Sequence, residues 1–81
     1  MLKIMKEVIY IQLLNEGTTV YRPVRASKIK TNVFKIDNFE LYDPDDEIWE
    51  FLPGTAVIVE ERYIENENVL VAVNKYDQKW H

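Results

Sequence analysis

The sequence contains no cysteine, only two glycines and a single histidine. Without cysteine, neither a disulfide framework nor a thiolate metal site supplements the core, and a reducing cytoplasm is the expected setting. The histidine is His81, the last position, where a frayed residue is expected rather than a general base or metal ligand. No apolar run approaches the roughly 20 residues that a membrane helix requires. Residues 1–7 mix Lys3, Lys6 and Glu7 into their apolar positions, which is unlike a signal peptide. A soluble cytoplasmic protein with no membrane partner is therefore expected.

What is present suits one small domain spanning residues 1–81. A chain of this size hides only about 60% of the surface that its unfolded form exposes, so there is room for one core. Hydrophobic residues at 47% and charged residues at 30% are too apolar a balance for a disordered chain. The net charge of -4 hides an uneven distribution. Residues 1–35 hold seven basic and two acidic side chains, whereas residues 36–61 hold nine acidic and no basic ones. The chain is acidic overall but electrically two-sided along its length.

Short runs rich in Val, Ile, Tyr and Phe, separated by turn residues, predict an all-β domain of five strands. The first, residues 5–14, alternates Met5, Ile9, Ile11 and Leu13 on one face with Lys6, Val8, Tyr10 and Gln12 on the other. Asn15-Glu16-Gly17-Thr18 turns the chain, with Gly17 free to take a positive φ. The second strand, residues 19–26, contains Pro23, which marks an edge or a bulge because proline cannot donate to a ladder. Residues 27–32 read as a connection and residues 33–42 as a third strand broken near Asp37-Asn38. Residues 43–47 suit one helical turn. Leu52-Pro53-Gly54-Thr55 matches a type II turn into a strand over residues 56–64. Residues 65–68 then connect to a last strand over residues 69–76. Five short antiparallel strands with a long connection before the fourth predict a small antiparallel SH3-like barrel, with an OB-like barrel as the alternative.

Four segments, Glu16-Gly17-Thr18, Arg22-Pro23-Val24, Trp49-Glu50-Phe51 and Pro53-Gly54, resemble those of short uncharacterised bacterial proteins with small SH3-like β-barrels. The resemblance covers most of the chain and implies the fold. It brings no catalytic residue with it.

Enzymatic chemistry needs a nucleophile beside a base, carboxylates in contrasting environments, or a metal held by several ligands. No such set stands out, and neither a catalytic residue, a cofactor nor a metal is expected. Asp43, Asp45, Asp46, Glu47 and Glu50 are interrupted by Pro44 and Ile48 and lack the Gly and terminal Glu of a calcium loop, so they read as a solvated acidic loop. Arg22, Arg25, Lys28, Lys30 and Lys35, with Tyr21 and Phe34 as stacking faces, resemble the equipment of a nucleic-acid-binding barrel. The acidic domain as a whole, with a pI near 4.9, opposes phosphate.

Trp49, flanked by Glu47 and Glu50, is the candidate anchor for a protein partner, and closing one end of the barrel is its competing role. Phe51 is expected in the core. Tyr21 and Tyr10 complete the candidate partner-binding set. Val8 and Tyr10, on the outer face of the first strand, predict self-association as a dimer. Arg22, between Val20 and Val24, is expected to face inward and to pair with Glu60 or Glu61. Together these features predict a non-catalytic protein-interaction module, such as an inhibitor, adaptor or regulatory subunit, with nucleic-acid binding through residues 22–35 as the alternative.

Overall fold

A computed structural model describes residues 6–37 and 42–77. Six strands form in order, β1 (Lys6–Leu14), β2 (Val20–Lys30), β3 (Val33–Ile36), β4 (Ile48–Trp49), β5 (Ala56–Ile64) and β6 (Glu67–Lys75). No helix occurs among the described residues, and so none is long and apolar enough to cross a membrane. Five of the strands close a ring in the order β1-β2-β3-β5-β6.

The direction of the closing join follows from counting. Each step from β1 to β2, β3, β5 and β6 is antiparallel, so the first and last of five strands run the same way. β1 and β6 accordingly meet in parallel, at Tyr10 and Val71. A strand has two edges, and β2 takes one edge of β1 through eight registered pairs. β6 and β4 share the other, β6 at Tyr10 and β4 at Leu13 and Leu14. The Glu50 N–H donates to the Gln12 carbonyl at 2.9 Å and extends that attachment.

Alternation in β1 places Ile9, Ile11 and Leu13 inside, facing Val24, Arg22 and Val20 of β2 across the pair. Phe34, Ile36, Val57, Val59 and Ala72 complete the interior with Trp49. Arg22 thus occupies the inner face at the end of the ring. Pro23 sits where β2 has a single neighbour, because β3 joins β2 only from Ala26 onward. Its missing N–H therefore costs the outer side of β2 no ladder bond.

Three boundaries differ from the sequence reading. Residues 27–30 continue β2 instead of connecting it, because Ser27 and Lys28 find partners in Lys35 and Phe34, and the turn shrinks to Thr31 and Asn32. β3 stops at Ile36, and residues 38–41 of the expected long strand lie outside the described residues. β6 starts two residues early because the hairpin loop is only Glu65-Asn66. Both loop residues have positive φ, 49° and 69°, the geometry whose twist matches that of the flanking strands.

Other turns form as read. Gly17 and Gly54 adopt φ of 76° and 89°, and the Thr55 N–H closes the turn onto the Leu52 carbonyl at 3.1 Å. Asp43 starts a single turn, its carbonyl accepting from the N–H groups of Asp46 and Glu47 at 3.0 Å and its Oδ1 from the Asp45 N–H at 3.0 Å.

Candidate functional site

Among the described residues, two places bring aromatic rings together with a carboxylate. The first lies where the Asp43 turn delivers Glu47 and β4 to the open end of the ring. Trp49 is 1% exposed and packs edge-on against Tyr42, with ring centroids 5.0 Å apart. Its indole N–H donates to Glu47 Oε1 at 2.9 Å, which satisfies the only polar atom that a buried tryptophan carries. Arg22 meets the same carboxylate side-on, Nε to Oε1 and Nη2 to Oε2, the latter at 3.2 Å. Burial alone would raise the Glu47 carboxyl. The hydrogen bonds from Arg22 and Trp49, with the Arg22 charge, outweigh it and hold the group below its ordinary value of 4.5.

This corner corrects two expectations. Arg22 faces inward as read, but its partner is Glu47 and neither Glu60 nor Glu61. The turn at residues 43–47 folds back over the end of β2, whereas Glu60 is on β5 and engages Arg62 at 2.8 Å and Glu61 is exposed. Arg22 is also only partly covered, because it sits at the rim. Trp49 is a core residue and presents no binding surface, so its candidacy as a partner anchor fails. Phe51, expected to be the more buried of the two, is half-buried against the core. Glu47 is committed to Arg22 and Trp49, and Glu50 is exposed.

The second place is a groove of about 460 Å³ lined by Tyr10, Thr19, Val20, Tyr21, Ile64 and Glu65. Tyr10 lies opposite Pro23, and Tyr21 opposite Gln12, so the two tyrosines are diagonal neighbours on the outer face of the β1–β2 pair. Such neighbours stand about 7–8 Å apart, a span that two rings can frame together. Ile64 and Glu65 arrive from the end of β5 and its hairpin turn. Of the four aromatic and acidic partner-binding candidates read from the sequence besides Trp49, the structure brings Tyr10 and Tyr21 together here and leaves Glu47 and Glu50 elsewhere. Val20, Ile64 and Glu65 were not foreseen. The hairpin turn at Glu65-Asn66 was readable from the sequence, but its placement beside Tyr21 was not.

The basic segment is divided. Phe34 is 1% exposed, and so offers no stacking face. Lys30 donates to the Tyr76 hydroxyl at 2.7 Å and lies 5.1 Å from that ring's centre. Arg22 is held by Glu47, and Ser27 between the basic residues donates to Asp37 at 2.7 Å. Comparison with models of known families, with curated proteins and with solved structures finds no match to this chain.

Proposed function

We propose that this chain is a non-catalytic protein-interaction module, built as a small SH3-like barrel, that receives an extended segment of another protein between Tyr10 and Tyr21. The observation that carries this reading is the groove itself. Two partly exposed tyrosines line an open concavity together with Val20 and Ile64, the kind of surface on which extended peptides dock. Tyrosine supplies contact area at low entropic cost and a hydroxyl for the peptide backbone. The sequential strand order favours the SH3-like form over the Greek-key order of an OB fold.

The division of the basic segment supports a protein partner over a nucleic acid, which needs aromatic faces among its cations. Roles as an inhibitor, adaptor or regulatory subunit are all compatible with such a groove.

The test is capture from a native extract by immobilised chain, read by mass spectrometry, with Tyr21→Ala and Tyr10→Ala as controls. A protein retained by the wild type and lost with either variant is the expected outcome, since truncating an interface anchor costs about 2 kcal/mol or more of binding. Retention unchanged by both variants overturns the reading. Val8 lies on the same face of β1 and is 53% exposed. A dimer in sedimentation that Tyr21→Ala dissolves would make the occupant a second copy of the chain.

A further inference from the structure

The molecule contains its own example of what meets a carboxylate beside aromatic rings. At the Trp49 corner, Arg22 lays its guanidinium side-on against Glu47 at the rim of the ring. The groove repeats the rings and the carboxylate without the cation. Glu65 is exposed and makes no side-chain hydrogen bond or ion pair among the described residues.

The surrounding hairpin carries the same unbalanced charge. Between residues 60 and 67 there are four glutamates and one arginine. That arginine, Arg62, is engaged by Glu60 through both Nε and Nη2, at 3.3 and 2.8 Å. Glu61 and Glu67 remain exposed and, like Glu65, without an ion pair among the described residues. Tyrosine faces add the negative side of their quadrupole to this field.

Resting on the groove as the peptide-binding surface, we infer that it selects an arginine side chain of the partner peptide. The guanidinium stacks on Tyr10 or Tyr21 and pairs with Glu65, while its methylenes lie along Ile64. Arginine fits better than lysine because a planar guanidinium can stack and pair side-on in one pose, whereas an ammonium is a compact and strongly hydrated charge.

The test is a nuclear magnetic resonance titration of the whole chain with a nine-residue alanine–serine peptide carrying one central arginine. Matched peptides carry citrulline, which keeps the shape and loses the charge, or lysine. The arginine peptide is expected to shift the ring signals of both tyrosines saturably, with the citrulline peptide about tenfold weaker and the lysine peptide intermediate. Glu65→Gln, at an exposed position, is expected to weaken the arginine peptide about fivefold and to flatten its salt dependence. Equal binding of the arginine and citrulline peptides, or an affinity and salt slope that Glu65→Gln does not change, overturns the inference. In that case saturable tyrosine shifts with both peptides leave the interaction-module reading standing. Absence of any shift overturns the arginine inference as well, while the module reading is judged by whether Tyr21→Ala loses the captured protein.

Discussion

The corner around Trp49 and the groove around Tyr10 are made of the same kinds of residue, yet one is sealed and the other open. At the corner, Glu47 accepts from an indole and a guanidinium supplied by the chain itself, and Trp49 disappears into the core. At the groove, Glu65 has aromatic neighbours and, among the described residues, no cation paired with it. The difference teaches that aromatic and acidic content does not distinguish core from site. What distinguishes them is whether the fold delivers the complementary group from within.

If that contrast is right, substitutions at the corner should unfold the protein and substitutions at the groove should not. The largest effect is expected for Trp49→Ala, which removes a fully buried side chain and should cost about 3–5 kcal/mol by chemical denaturation. At about 4–8 °C per kcal/mol for a domain of this size, that variant should be largely unfolded near room temperature if the parent is marginal. A loss under about 1 kcal/mol would mean that Trp49 is not the keystone of the corner.

Next comes Glu47→Gln, which removes the charge paired with Arg22 and leaves a partly desolvated guanidinium facing an amide. A cost of about 1–3 kcal/mol is expected, well above the roughly 0–1 kcal/mol of an exposed pair. Combining it with Arg22→Met in a double-mutant cycle should show strong coupling. Additive losses would reduce the pair to an accident of the surface.

Acid sharpens the same point. Because the folded-state value of Glu47 is depressed, its stabilisation is present in full above its ordinary value of 4.5 and is lost as pH falls through the lower folded value. Unfolding followed from pH 7 down to pH 3 should therefore show a loss below about 4.5 that Glu47→Gln makes shallower. Identical pH profiles for the two proteins would remove Glu47 as a source of acid sensitivity.

The smallest effects belong to the groove. Glu65→Gln should change stability by no more than about 0.5 kcal/mol, and Tyr21→Ala by about 1 kcal/mol, because the first is exposed and the second only partly so. A thermal melt in which Tyr21→Ala falls as far as Trp49→Ala would erase the distinction between corner and groove.

Much of this was legible in local sequence. The alternation of Ile9, Ile11 and Leu13 with Val8, Tyr10 and Gln12 established both the strand and its inner face, because side chains on a strand alternate with period two. The turn at Pro53-Gly54 was legible because a positive φ at the third position demands glycine. Tyr10 and Tyr21 were recognised as surface aromatics, and they line one groove. What could not be read was pairing at a distance. β4 is two residues long, too short for any periodic signal, and it exists because the free edge of β1 at Leu13 and Leu14 accepts it.

The sequence by itself determined an all-β chain, the inward face of its first strand, the turns at Gly17 and Pro53-Gly54 and the inward side of Arg22. These depend on neighbouring residues, whose conformational limits and alternation hold in any fold. Only the tertiary structure decided that Glu47 rather than Glu60 meets Arg22, that Trp49 is buried, and that Ile64 and Glu65 reach Tyr21. Those contacts join positions separated by tens of residues, and they form because β4 docks on the free edge of β1 and the ring closes through β1 and β6.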